Sequence, residues 1–113
     1  MTKDFELETV LSVTTGISCV DNFSKVYDLA YFIFDDDGIS PLALGMMKPK
    51  MIEHILDIHP ELKGVTPTWK ERKNLDSWIE TQKANFGERL TISQYGEKLP
   101  EKEAVKKIGS KNN

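Results

Sequence analysis

The sequence predicts an α+β fold, in which an N-terminal and a C-terminal strand form a small antiparallel sheet packed against about three helices. Three observations predict it. β-Branched residues are concentrated in residues 7–18, apolar residues recur every three or four positions through the middle of the chain, and apolar and polar residues alternate in residues 89–95. The 113 residues fit one domain, because two domains of half that length would each bury too small a core.

The first predicted element is a strand within residues 7–18. Strand-forming residues dominate this segment, which contains Thr9, Val10, Val13, Thr14, Thr15 and Ile17. Gly16 interrupts it and indicates a bulge or a turn. We expect residues 10–15 to pair with the C-terminal strand. Because two strands alone make a marginal sheet, pairing across a homo-oligomer would enlarge it.

The first predicted helix covers residues 23–34, where apolar side chains at spacings of three and four form a broad stripe. So little of this helix is polar that it should be central in the fold or covered by another subunit. The acidic turn of residues 35–38 should end it, with Gly38 at positive φ. Ser40 and Pro41 then have the pattern of a cap and a first helical position, for a single turn at residues 42–47.

Two longer helices are predicted before the second strand. Pro49 should open the first, which stops near His59 because a proline follows it. The second should run from Thr68 to about Phe86, since threonine with glutamate three positions later has the spacing of a capping box. Gly87 should end that helix, and the alternation in residues 89–95 predicts a short strand.

Charge is distributed unevenly along the chain. The net charge is -3, and residues 97–113 contain five lysines and three glutamates, a net +2, which leaves -5 on residues 1–96. We interpret residues 1–96 as a single domain and residues 97–113 as a charged, partly flexible tail. The acidic domain argues against binding to DNA, RNA or an anionic membrane. The single cysteine, Cys19, and an acidic start unlike a secretory signal favour a cytoplasmic protein.

The sequence shows no catalytic or metal-binding constellation. The acidic run at residues 35–38 does not fit a calcium loop, because counting its glycine as position six places Ile33 first and Leu44 twelfth, and neither can be a ligand. His54 and His59 are five residues apart, which turns their side chains away from each other on a helix. We therefore expect no catalytic residues, no metal and no cofactor, and a protein that is not an enzyme.

Two groups of residues could bind a ligand. The hydroxyls of Thr14 and Thr15, with the N–H of Gly16, could hold a phosphate or a ribose, although the lysine and glycine spacing of a phosphate loop are missing and an ordinary turn is the alternative. Arg72 and Arg89, the two arginines of the chain, could bind phosphate oxygens in a bidentate fashion.

Aromatic residues occur near both arginines, at Trp69, Trp78, Phe86 and Tyr95. Because an aromatic face can stack on a nucleobase, Trp78 and Phe86 join the arginines as candidate ligand-binding residues. Core packing at helical spacing is the alternative for these two. The combination suits a small nucleotide better than a nucleic-acid polymer, since the protein is acidic overall.

Four short motifs follow one another in a recognisable order. They are LSVTTG at residues 11–16, YDL at 27–29, HPEL at 59–62 and FGERLTI at 86–92. In this order the chain resembles, over roughly residues 5–95, a family of small phage proteins, the Thoeris anti-defence sponges of the first type. Residues 35–48 depart from the family's pattern, in which a threonine–histidine pair, a proline and an arginine precede the middle helix.

The resemblance implies a non-enzymatic role in the cytoplasm of an infected bacterium. Members capture a cyclic nucleotide signal, of the glyco-cyclic ADP-ribose class, without cleaving it. The defence effector is then not activated. They form homodimers or higher assemblies with pockets where subunits meet, and some bind cyclic oligonucleotides at a second site, which the departure at residues 35–48 puts in doubt here. The alternative function is a protein-interaction inhibitor that docks on a host or defence protein through its acidic turn and its apolar helix.

Overall fold

The chain begins and ends its fold in the same sheet. A computed structural model describes residues 1–95, in the order β1 (Thr2–Glu6), α1 (Leu7–Thr15), α2 (Ser24–Phe34), α3 (Pro41–Ile58), α4 (Leu75–Phe86) and β2 (Arg89–Ser93), with short 3₁₀ turns at Pro60–Leu62 and Glu71–Asn74. The predicted α+β class and the antiparallel pairing of an N-terminal with a C-terminal strand are confirmed. The described residues contain four α-helices, where about three were expected.

The two strands pair antiparallel, with Thr2 opposite Ser93 and Glu6 opposite Arg89. Phe5 and Leu90 face each other in this register, and both side chains are buried in the core. The N-terminal strand of the sheet is therefore Thr2–Glu6. The expected pairing of residues 10–15 with the C-terminal strand is wrong.

Residues 7–15 form a helix, so the strand predicted within residues 7–18 is also wrong. Leu7, Val10 and Leu11 lie at helical spacings and are completely buried. Burying each such side chain contributes about 1.5–3 kcal/mol, whereas strand preferences span only about 1 kcal/mol. The core contacts of one helical face therefore outweigh the preference of the β-branched residues for extended structure.

The second helix covers most of the predicted segment, and its apolar stripe packs inside the same chain. Val26, Leu29 and Ile33 are each at most 1% exposed. The helix is therefore central in the fold, one of the two arrangements that the sequence left open. It ends at Phe34, and the left-handed residue after it is Asp35, at φ 52°, rather than Gly38.

The third helix is continuous through Pro49, so the predicted break between residues 47 and 49 is wrong. A proline inside a helix costs about 3 kcal/mol, because it lacks an N–H and its ring crowds the preceding turn. Leu44, Met51 and Ile55 are buried on either side of it, and their combined burial exceeds that cost. The Ser40 hydroxyl accepts a hydrogen bond from the Ala43 N–H, which confirms the predicted cap.

The fourth helix begins later than predicted. The capping box does form, since the Thr68 N–H donates to the Glu71 carboxylate at 2.8 Å and the Glu71 N–H donates to the Thr68 hydroxyl at 3.2 Å. A 3₁₀ turn follows it, and Asn74 then caps α4 by accepting from the Ser77 N–H. Gly87 ends the helix as expected, at φ 96°.

Both histidines connect α3 to the outer edge of β2. The Nε2–H of His54 donates to the Ser93 carbonyl and that of His59 donates to the Thr91 carbonyl, each at 2.7 Å. No helix within residues 1–95 is long and apolar enough to cross a membrane. The predicted tail, residues 97–113, lies outside the described residues.

Candidate functional site

An open depression of about 180 Å³ lies beside the sheet, next to the first turn of α1. The sheet register places Arg89 opposite Glu6, and the Leu7 N–H donates to the Glu88 carbonyl at 2.9 Å, so the start of α1 and the start of β2 are held together. The lining residues are Lys3, Asp4, Phe5, Glu6, Thr9, Lys25, Asp28 and Arg89. We call this feature the Arg89 depression.

Three cations and three carboxylates line the Arg89 depression. The Lys25 ammonium lies 3.1 Å from the Glu6 carboxylate and 3.6 Å from that of Asp21, and the hydrogen bond to Glu6 is the main cause that raises the pKa of Lys25. The Lys3 ammonium lies 5.4 Å from the centre of the Phe5 ring. The Arg89 guanidinium has no hydrogen-bond or ion-pair partner within residues 1–95 and is exposed to solvent.

The size of the Arg89 depression limits what one copy of the chain can hold. Pockets that enclose a small molecule usually have volumes of roughly 300–1,000 Å³. A depression of about 180 Å³ has room for a phosphate or a ribose, but it cannot surround a whole nucleotide.

The predicted group Thr14, Thr15 and Gly16 forms the end of a helix rather than the end of a strand. The Thr15 hydroxyl donates to the Leu11 carbonyl at 2.6 Å and accepts from the Ile17 N–H at 3.1 Å. Gly16 adopts the left-handed conformation, at φ 74°. The Thr14 hydroxyl oxygen is buried and has no hydrogen-bond partner within the described part of the chain.

This segment is separated from the Arg89 depression by the length of α1. Nine helical residues span about 13 Å, and the depression contacts the first turn of that helix while Gly16 follows its last. Only Arg89, of the predicted ligand-binding residues, lines the depression.

Cys19 lies just beyond the same segment. Its N–H donates to the Ser12 hydroxyl at 2.8 Å, and its thiol donates to the Ile17 carbonyl at 3.3 Å. Burial raises the pKa of this thiol, so it is a weak nucleophile at neutral pH. Lys25, the next cation along the chain, pairs with Glu6 and Asp21.

The other predicted residues lie on the 3₁₀ turn and on α4. Trp78 is 6% exposed and belongs to the core, and Phe86 is half-buried against it, so core packing accounts for both aromatic side chains. Arg72 is exposed on the 3₁₀ turn. Trp78 borders a second depression of about 180 Å³, lined also by Glu71, Asn74, Ser77 and Thr81. The two depressions share no lining residue.

The exposed aromatic residue beside Arg72 is Trp69, which sequence reasoning noted but did not select. Its side chain is 66% exposed. The ammonium groups of Lys73 and Lys70 lie 4.8 Å and 5.7 Å from the centre of the indole ring. In the sequence, the lysines one and four positions after Trp69 were the signal that could have indicated an exposed ring beside cations.

The outward face of α3 is apolar in its first half. Leu42 and Met46 follow one another by one helical turn and are 77% and 73% exposed. Gly45 and Pro49, exposed at the neighbouring positions of the same face, extend the stripe. We call these four residues the α3 outer face.

Within residues 1–95 no group of three or more histidine, cysteine, aspartate or glutamate side chains is placed to hold a metal ion. No protein-family model, curated protein or solved structure matches the chain. The resemblance to the anti-defence sponges therefore stays a prediction from the sequence motifs.

Proposed function

We propose that this protein is a phage anti-defence protein that binds a cyclic nucleotide immune signal of the glyco-cyclic ADP-ribose class and sequesters it without cleaving it. It would act in the cytoplasm of the infected bacterium and prevent activation of the defence effector. The observation that carries the proposal is the Arg89 guanidinium, which lines an open depression and has no partner within residues 1–95. The order of the four sequence motifs supports the same function.

The chemistry of the Arg89 depression fits part of such a ligand. A guanidinium presents a planar fork of N–H donors to phosphate oxygens, and no group within residues 1–95 occupies that of Arg89. Carboxylates such as Asp4 and Asp28, on the same rim, are acceptors for ribose hydroxyls. A cyclic ADP-ribose offers both groups, a pyrophosphate and ribose hydroxyls.

The proposal includes a homo-oligomer. One copy provides about 180 Å³, which is too small to enclose the ligand, so a second copy would supply the missing wall. Sequestration depends on tight binding and slow release rather than on turnover, and no acid–base pair is needed for it. Cyclic oligonucleotides are a second candidate ligand of the same protein.

The experiment that tests the proposal is incubation with glyco-cyclic ADP-ribose, followed by heat denaturation and chromatography of the released small molecule. The proposal expects recovery of the intact ligand in proportion to the protein. Absence of binding at micromolar protein would contradict it, and recovery of a cleaved product would show an enzyme instead.

A second candidate function is inhibition of a host or defence protein by docking. The apolar stripe of α2, through which the sequence predicted this docking, is buried in the core. The observation that favours docking is instead the α3 outer face, where Leu42 and Met46 are more than 70% exposed. A pull-down from host lysate should then return one stoichiometric partner with the wild type and lose it with Met46→Asp. Trp69→Asp, at another exposed apolar position, is the matched control.

A further inference from the structure

The most exposed aromatic side chain within residues 1–95 is that of Trp69, and two lysines surround it. A tryptophan usually buries most of its large apolar ring, because each ring removed from water contributes strongly to stability. Trp69 instead leaves 66% of its surface in solvent, while Trp78, nine residues later, is 6% exposed. The fold therefore maintains one tryptophan in the core and one on the surface.

The surroundings of Trp69 are positively charged although the protein is acidic. Residues 69–74 contain three cations, Lys70, Arg72 and Lys73, against the single carboxylate of Glu71, a net charge of +2. That carboxylate accepts a hydrogen bond from the Thr68 N–H at 2.8 Å. The three cations make no ion pair with a carboxylate of residues 1–95.

The capping box fixes the position of this segment. Reciprocal hydrogen bonds between Thr68 and Glu71 bracket Trp69, and the Arg72 N–H donates to the Thr68 carbonyl at 2.9 Å. The indole and the cations are thus carried on a turn whose backbone is already ordered. A preorganised turn loses less conformational entropy when it binds a ligand.

A polar depression begins at the same turn. It is lined by Glu71, Asn74, Ser77, Trp78 and Thr81, so Glu71 belongs both to the capping box and to the depression. Its amide, hydroxyl and carboxylate groups are hydrogen-bonding partners for the hydroxyls of a sugar.

We propose that Trp69, Lys70, Arg72 and Lys73 form a binding surface for a nucleoside phosphate, whose base stacks on the indole and whose phosphates lie against the cations. The sugar would reach the depression lined by Asn74, Ser77 and Thr81. An aromatic ring can stack on any base, and the surrounding cations favour nucleosides that carry phosphate groups. This surface shares no residue with the Arg89 depression, and the proposal does not depend on the sequestering function.

A small nucleotide fits this surface better than a nucleic-acid strand does. A strand would have to extend beyond the +2 segment over a domain that carries a net -5 in residues 1–96. Each further phosphate would then approach an acidic surface, whereas affinity for a strand comes from neutralising many phosphates.

The proposal is tested by calorimetric titration of the full-length protein with ADP, with adenosine and pyrophosphate as probes that each lack one half of the ligand. Wild type should bind ADP more tightly than either fragment. Trp69→Ala should weaken ADP binding about tenfold or more, and Trp69→Phe should retain most of the affinity, because a phenyl ring also stacks. Leu42→Ala, a truncation at another exposed apolar position, is the control and should bind like wild type.

Fluorescence provides a second readout. ADP should quench the wild-type tryptophan emission, and most of the quenching should be lost in Trp69→Phe although binding persists, because Trp78 is 6% exposed and only borders the depression. Unchanged ADP affinity in Trp69→Ala would overturn the proposal, as would tighter binding of a single-stranded oligonucleotide than of ADP, or no binding of ADP at about 1 mM. Loss of ADP binding in Arg89→Ala but not in Trp69→Ala would assign the nucleotide to the Arg89 depression and also overturn it.

Discussion

A nucleotide site usually combines a concave shape, positive charge and an aromatic ring. In this chain these features are split between the Arg89 depression and the surface formed by Trp69, Lys70, Arg72 and Lys73, which we call the Trp69 surface. The depression is concave, but its three cations are offset by three carboxylates. The Trp69 surface has an exposed ring and an excess of positive charge, and the adjacent depression is as small as the first. Each region of one copy therefore has only part of what a nucleotide site requires, and each proposed site would need further walls to enclose a ligand.

The largest expected effect distinguishes the two tryptophans. Trp78→Ala should lower the free energy of unfolding by about 3–5 kcal/mol, because it opens a cavity in the core, whereas Trp69→Ala should change it by less than about 0.5 kcal/mol. Urea denaturation followed by circular dichroism measures both. Equal losses in the two variants would mean that Trp69 also packs in the core, and the contrast between the two regions would fail.

The two arginines should differ in their effect on binding of the proposed ligand. Arg89→Ala should weaken binding of glyco-cyclic ADP-ribose about tenfold or more, since a charge-assisted contact contributes about 1.5–3 kcal/mol, and Arg72→Ala should weaken it much less. Equilibrium dialysis measures both affinities, with Arg89→Lys to show how much the planar fork contributes. A larger loss in Arg72→Ala than in Arg89→Ala would transfer the sequestering site to the Trp69 surface.

A smaller effect is expected at the end of α1, which is the third candidate segment. Gly16→Ala should destabilise the protein by about 1–2 kcal/mol, because a Cβ is disfavoured at φ 74°. If Thr14, Thr15 and Gly16 only end α1 and do not contact the ligand, Gly16→Ala should bind the ligand as tightly as wild type. Thermal unfolding and dialysis together give the result, and a weakened affinity at unchanged stability would make Thr14, Thr15 and Gly16 part of the site.

The smallest effect concerns Cys19, next to that segment. Because burial raises the pKa of its thiol, the rate of reaction with an aromatic disulfide reagent should rise at higher pH than for an unfolded cysteine peptide, whose pKa is about 8.5. The folded state keeps the proton longer, so the same group makes the protein less stable as pH rises above that value. A midpoint below that of the peptide would indicate an activated thiol and contradict the assignment.

Sequence patterns predicted those elements whose signals are local. The stripe of α2, the cap at Ser40 and the stop at Gly87 each depend on residues within one or two turns, and all three are confirmed. The strand at residues 7–18 and the break at Pro49 were wrong, because burial in a core built from distant segments outweighed local preference at both places.

The candidate sites could likewise be predicted only where the sequence signal was local. Arg89 was selected because it follows a helix-ending glycine at the start of a strand; the structure places it in a depression, and its ligand-binding role stays a prediction. Trp69 was not selected from the sequence, although nine residues make two and a half helical turns, so Trp69 and Trp78 would lie on opposite sides even of a single helix. The structure shows that the Trp69 ring faces solvent while the Trp78 ring is buried.

Native mass spectrometry of the full-length protein with glyco-cyclic ADP-ribose tests the central proposal most directly, because one spectrum reports both the number of subunits and the mass of the bound ligand. The proposal predicts a homo-oligomer that carries the intact ligand, with the adduct strongly reduced in Arg89→Ala. A monomer without any adduct at micromolar protein would contradict it.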